Sequence, residues 1–168
     1  MSTIPNGFED VLRASWPRIY PVALRLMGNE AEAEELTQET FFLAYQAWDR
    51  FKGRSRPETW LFRIAVNVCR KRLMERRRHP APLEPESAAY RAEDPLVAGE
   101  RKASVARAME ALSPGQRLVL TLFCVDGLSH GEIAEILDCP EGTVWSRLYL
   151  AKKALKTRLE AEEVHDAT

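Results

Sequence analysis

The 168-residue chain is 45% hydrophobic and 29% charged, which suffices for packed cores and is too apolar for a wholly disordered chain. No apolar run approaches the ~20 residues of a membrane span, and residues 1–7 have neither the basic start nor the apolar core of a signal peptide, so a cytoplasmic protein without membrane insertion is expected. The net charge of −1 conceals segregated blocks of −5 over residues 1–49, +9 over 50–78, −2 over 79–111 and −3 over 112–168; such segregation implies at least two kinds of partner surface, one partner being anionic.

Residues 8–27 read as a helix, with Phe8, Val11, Leu12, Ile19, Val22, Ala23 and Leu26 at its apolar positions. Pro17 and Pro21 each lack a backbone donor and are expected to break or kink it. Gly28 and Asn29 end that segment, and Asn29 can cap the next helix with Glu32 three residues on. This second helix should run from about Glu30 to Arg50, carrying Leu36, Phe41, Phe42, Leu43, Tyr45 and Trp48. After a short loop, Ser55 and Glu58 stand at the capping-box spacing with Pro57 in the first turn. They open a third helix on which Leu61, Ile64, Ala65 and Val68 recur at helical spacing.

Over residues 79–100 the periodicity fails; four prolines, five acidic residues and few large apolar ones read as a linker. Fully extended at ~3.3 Å per residue, such a stretch bridges more than about 60 Å. Two small domains follow, residues 1–78 and 101–168. In the second, residues 101–111 look helical, and Ser113, Pro114 and Gln116 form a capping box with proline at the first helical position. The helix they open carries Leu118, Val119, Leu122 and Phe123 and stops at Asp126 and Gly127. Ser129 with Glu132 caps a short helix ending at Leu137, residues 138–140 turn the chain, and a long helix runs from about Glu141 to Glu163. No strand pattern is present, so the expected class is all-α.

Cys69, Cys124 and Cys139 are odd in number and form no CxxC, while His79, His130 and His165 have no metal-ligand spacing. Neither a metal nor another cofactor is called for. With no Gly-rich phosphate loop and no nucleophile–base constellation, an enzyme is not expected.

A short helix, a tight turn and a longer basic helix are the layout of a helix-turn-helix. With Val144 set at zero and ~100° per residue, Leu148, Ala151 and Leu155 fall within about 40° of it and make the packing stripe. The opposite face holds Gly142, Trp145, Ser146, Tyr149, Leu150 and Lys153, with Arg147, Lys152 and Lys156 on the flanks, and Thr143 lies beside it in the first turn. Small residues, hydroxyls and cations near a helix start suit a major groove, where side chains meet base edges and flanking cations meet phosphates. An ordinary amphipathic helix with a solvated basic face has the same pattern, but the capped helix before it favours DNA.

The +9 block crowds Lys52, Arg54, Arg56, Arg63, Arg70, Lys71, Arg72 and Arg76 to Arg78 onto one loop and one helix. With Asn67 among them, these groups suit a phosphate track with an amide for exposed bases. Trp60 and Phe62 are read first as core aromatics and only second as stacking platforms.

At this point the chain resembles a known family. Residues 33–41 (AEELTQETF), 51–55 (FKGRS) and 59–67 (TWLFRIAVN) look like the promoter −10-reading domain of bacterial extracytoplasmic-function sigma factors. Residues 112–117 (LSPGQR), 127–129 (GLS), 132–137 (EIAEIL) and 142–148 (GTVWSRL) are similar to their −35-reading domain. The resemblance implies that Glu35, Gln38 and Glu39 dock on core RNA polymerase. It implies further that Lys52, Arg54, Arg56, Arg63, Asn67, Arg70 and Lys71 bind the single-stranded −10 element, Asn67 helping to read a flipped base. Gly142, Thr143, Trp145, Ser146, Arg147, Tyr149 and Lys153 would bind duplex −35 DNA, and an anti-sigma factor is an expected partner. The linker would cross polymerase near its active site.

Relatives commonly carry cations where Trp145 and Leu150 stand. Three readings of the resulting Trp145–Tyr149–Leu150 strip are open: contacts to thymine methyls, a surface for an anti-sigma factor, or packing on a neighbouring helix. Two further functions stand beside the main one, a dimeric helix-turn-helix regulator acting without polymerase and a sigma mimic that titrates an anti-sigma factor.

Overall fold

The computed structural model describes residues 7–79 and 97–166, and among them it has seven helices, one 3-10 turn and no strand. In chain order these are α1 (Phe8–Met27), α2 (Glu30–Ala47), the 3-10 turn Trp48–Arg50, α3 (Pro57–Arg78), α4 (Val97–Glu110), α5 (Pro114–Asp126), α6 (His130–Leu137) and α7 (Glu141–Asp166). The class is all-α, as the periodicity predicts. The chain divides into two compact units, one holding α1–α3 and the other α4, α5, α7 and the first residues of α6. Of the expected linker, residues 80–96 lie outside the described residues, and α4 begins at Val97, ahead of the start expected near Arg101.

In the first unit the three helices pack pairwise around one core. α1 runs unbroken through Pro17 and Pro21, so of the expected break or kink the break does not occur. An interior proline costs ~3 kcal/mol; burying Ile19, Val22 and Leu26 on the same helix returns about 1.5–3 kcal/mol for each side chain, so the packed face carries the helix past both prolines. Gly28 closes α1 in the left-handed region at φ 79°, which a glycine adopts without strain. Asn29 then caps α2 as expected, its Oδ1 accepting from the Glu32 N–H at 2.8 Å.

The start of α3 departs from the sequence pattern. Pro57 takes the first helical position, Arg56 becomes the extended residue before it, and no side-chain cap forms. A residue before proline is pushed out of the helical region, so Ser55 stands one position too early to complete a capping box with Glu58. Phe8, Tyr45, Trp48, Phe51 and Trp60 meet instead in an aromatic cluster that closes the α2–α3 corner, with Trp60 5.0 Å from Phe51 between ring centroids. Phe62 is fully buried, and the Arg18 guanidinium lies 5.3 Å from its ring. Both aromatics of α3 are thus engaged in packing.

In the second unit α7 packs on α4 and α5. Both capping boxes read from the sequence form. Ser113 Oγ accepts from Gln116 N–H and Gln116 Oε1 from Ser113 N–H, at 3.3 and 3.2 Å; Ser129 and Glu132 repeat the exchange at 3.2 and 2.9 Å. Arg117 closes the far end of α4, donating to the carbonyls of Met109 and Glu110 at 3.1 and 2.7 Å. Buried Leu118, Val119, Leu122, Ile133, Val144, Leu148 and Ala151 make the core. Asp138, at φ 50°, lies in the turn that precedes α7.

Candidate nucleic-acid interfaces

On the first unit the loop before α3 exposes Lys52, Arg54 and Arg56. Along α3, half-buried Arg63 is followed by exposed Asn67, Arg70 and Lys71, and this spacing of four, three and one residues places all four on one helix face. Asn67 and Lys71 also line an open groove of about 800 Å³ between α2 and α3, with Glu39, Gln46 and Arg50 as its other polar groups and Leu43, Ile64 and Val68 among its apolar ones.

Two arginines of the +9 block face elsewhere. Arg72 makes a paired contact to Glu35, at 3.1 and 3.3 Å, and reaches Glu32 at 3.9 Å and Glu75 at 3.8 Å. Arg76 pairs with Glu32 and donates to the Met27 carbonyl at 3.0 Å, tying α3 to the end of α1. The hydrogen bond from Arg72, then its charge, holds the Glu35 carboxyl below its ordinary pKa, while burial lowers that of Arg76.

The three residues expected on the polymerase-facing side of α2 consequently have different surroundings. Glu35 is bridged to α3, Gln38 is exposed and donates to Glu34 at 3.3 Å, and Glu39 lines the groove with Asn67 and Lys71. Cys69 is buried in the same helix pair, and burial pushes its thiol up to about 12.

On the second unit α7 presents the face its periodicity predicts. Val144, Leu148 and Ala151 are buried and Leu155 half-buried, whereas Gly142, Trp145, Ser146, Tyr149, Leu150 and Lys153 are exposed. Thr143 and Arg147 are half-buried at its margin; Ser146 donates to the Thr143 carbonyl at 3.2 Å, and the Arg147 guanidinium lies along Gly115 at the start of α5. Trp145 stacks on His130 with ring centroids 3.7 Å apart and planes 11° from parallel. Its indole N–H donates to Glu141 at 3.4 Å. His130 in turn meets Phe123 at 5.4 Å, and the Lys152 ammonium lies 4.6 Å from the Phe123 ring.

Phe123, His130 and Glu141 therefore belong to this face, and sequence reasoning missed all three. His130 has no metal-ligand spacing and opens a helix different from that of Trp145, so no periodicity within one helix could join them.

Residues 12–79 match the model of Sigma-70 region 2, and residues 102–155 match that of Sigma-70 region 4. The ECF RNA polymerase sigma-E factor of Escherichia coli strain K12 is 35% identical over 142 residues, 77% of this chain and 74% of that protein. The chain belongs to the extracytoplasmic-function sigma factors. A Pseudomonas aeruginosa RNA polymerase sigma-H factor is 33% identical over 156 residues, covering 85% of this sigma factor and 81% of its own length. Among solved structures, the sigma factor RpoE in complex with the anti-sigma factor NepR from Bartonella quintana matches with a TM-score of 0.73 at 27% identity, over 91% of this chain and 96% of that one. CnrH in complex with the cytosolic domain of CnrY matches with a TM-score of 0.70 at 25% identity, over 92% and 88%. These likenesses favour sigma-factor function over a lone regulator or a mimic. No helix among the described residues is long and apolar enough to cross a membrane.

Proposed function

We propose that this sigma factor joins core RNA polymerase and recognises promoters with two separate surfaces. The α3 face and its preceding loop take the separated −10 strand: Lys52, Arg54, Arg56, Arg63, Arg70 and Lys71 follow the phosphates while Asn67, at the groove, reads an exposed base. Unpairing and unstacking cost a few kcal/mol per base, and capture by such a groove offsets that cost. The α7 face enters the −35 major groove, with Gly142, Thr143, Trp145, Ser146 and Tyr149 toward the base edges and Arg147 and Lys153 toward phosphates. Gln38 and Glu39, with the Arg72-bridged Glu35, meet a basic surface of polymerase. The observation that carries this reading is the exposed Asn67–Arg70–Lys71 stripe beside a groove, lying within the segment matched to region 2.

The protein so read acts in the cytoplasm, performs no reaction of its own and directs that of polymerase. Two domains joined across residues 79–100 are part of this reading, since duplex and single-stranded DNA are contacted by different units. The anti-sigma complexes of the two solved relatives support an anti-sigma partner here as well.

The test is reconstitution with core polymerase and selection of bound promoter fragments. A one-to-one complex that opens specific promoters is the expected result. Failure to bind core, with operator duplexes bound by the protein alone, would refute it.

A further inference from the structure

We propose that Trp145, held on His130, is a methyl-reading platform that selects thymine in the −35 major groove, and that Tyr149 reads a second thymine beside it; this rests on the assignment of α7 to duplex DNA given above.

The inference starts from what Trp145 has left to offer. One face of its indole is covered by the His130 ring at 3.7 Å, and its single polar atom donates to Glu141 at 3.4 Å. The side chain nevertheless remains 55% exposed, and what it exposes is hydrocarbon. In the major groove guanine presents N7 and O6, adenine N7 and N6, cytosine N4, and thymine O4 together with its C5-methyl. An indole whose N–H is already committed satisfies none of the hydrogen-bonding groups, and against most base edges it would displace water without replacing the bonds that water made. The thymine methyl is the one edge group in that groove that gains from apolar contact.

Position and charge select DNA as the occupant of this apolar strip. Trp145 begins the second turn of α7, where a recognition helix meets base edges. Exposed Lys152 and Lys153, with Lys156 beside Glu160, give the apolar centre a cationic border against the single Glu141 carboxylate at the indole N–H. Tyr149, 66% exposed, lies four residues further along the same helix, about 6 Å by helical rise, or close to two base-pair steps. The two rings thus address methyl groups one to two base pairs apart.

His130 is a positioning residue in this scheme. It touches no base; its ring fixes the plane of Trp145 and is itself backed by Phe123. A rigid platform discriminates between presence and absence of a single methyl, whereas a mobile indole would accommodate either.

The test uses holoenzyme assembled on core polymerase and a library of promoter duplexes randomised over the −35 element. The enriched duplexes are then remade with uracil for thymine, one position at a time, which deletes only the methyl. In the wild type, one substitution should weaken binding about fourfold, the ratio carried by burial of one methyl-sized group, with a second sensitive position one to two base pairs away. Trp145→Ala should abolish the larger effect and Tyr149→Ala the other. His130→Ala should bring the thymine-to-uracil ratio toward one while leaving the salt dependence of binding unchanged, an outcome that general damage to the unit would not produce. Trp145→Leu, which keeps an apolar side chain at the position, guards against misfolding of the alanine variant and should retain part of the ratio.

Uracil tolerated at every position, or sensitivity that persists in Trp145→Ala, would overturn the proposal and leave the strip to a protein partner. If the holoenzyme forms but enriches no −35 sequence, the assignment of α7 falls and the proposal with it. If no holoenzyme forms, the sigma-factor reading itself fails.

Discussion

The basic helices of the two units use charge in different ways. On α3, cations are divided between the outside and the protein itself: Arg70 and Lys71 share the outward stripe with Asn67, while Arg72 and Arg76 bind Glu32, Glu35, Glu75 and the end of α1. On α7 Lys152 lies against the Phe123 ring, Lys156 reaches Glu160 at 3.7 Å and Arg147 lies along Gly115, and the centre of the exposed face is aromatic and aliphatic. The +9 of residues 50–78 therefore overstates what is available to phosphate, whereas the smaller basic excess of residues 140–159 is mostly directed outward. Local charge reports available cations only after the acidic partners on adjacent helices have been subtracted.

This difference can be tested most sharply where the expected effect is largest. Replacing both Asn67 and Lys71 by alanine should cut promoter opening about tenfold to a hundredfold, the range for losing roughly 1.4–3 kcal/mol of strand capture. Binding to −35 duplex should be unchanged, as measured by permanganate footprinting of the open complex beside duplex affinity. Equal loss of both activities would break the division of labour between the units.

Arg76→Ala should instead act on stability. It removes a charged donor from the Met27 carbonyl and from Glu32, at a cost of about 1.5–3 kcal/mol, read as a lower midpoint in urea unfolding. Arg70→Ala, on the outward stripe, should stay within about 0.5 kcal/mol of wild type in the same experiment and reduce the salt slope of DNA binding. If the two variants exchanged behaviour, the assignment of inward and outward cations would be wrong.

Capping gives a smaller contrast between the units. Ser113→Ala should cost about 1 kcal/mol because its box is formed, while Ser55→Ala should be nearly silent because α3 starts without a side-chain cap. Thermal melting of the two variants distinguishes them.

The smallest effect concerns pH. The Glu35 carboxyl has a folded pKa below its unfolded one, so the Arg72 bridge contributes fully above the ordinary carboxylate pKa and is lost as pH falls through the lowered folded value. Glu35→Gln should remove this part of the acid dependence of unfolding and lower stability above pH 6 by the same small amount, small because Glu35 is well exposed.

Much of the fold was legible because its signals are local. Asn29, Ser113 and Ser129 cap helices at the positions their spacing predicts, and the Val144–Leu148–Ala151 stripe turns inward because a period of 3.6 leaves apolar groups on one side. The errors arose where local signals compete. Ser55 with Glu58 is a good capping box until Pro57 moves the helix start by one residue, and the donor lost at Pro17 or Pro21 breaks a helix only when no packed face holds it together. The candidate sites were legible as residue types on a helix face, which is how Arg63, Asn67, Arg70 and Lys71 came to one stripe.

By itself the sequence determined the all-α class, the spans of α1, α5 and α6, the starts of α2 and α7 and the outward face of α7, since each follows from interactions within a few residues along the chain. Only the tertiary structure decided which arginines of α3 are spent on Glu32 and Glu35, that Glu39 shares a groove with Asn67, and that Trp145 rests on His130 with its N–H committed to Glu141. The first two link α3 to α2, and the stack links α7 to α6. Whether a side chain on one helix finds a partner on the next depends on the rotation and separation of the two axes, and no spacing within either helix records those.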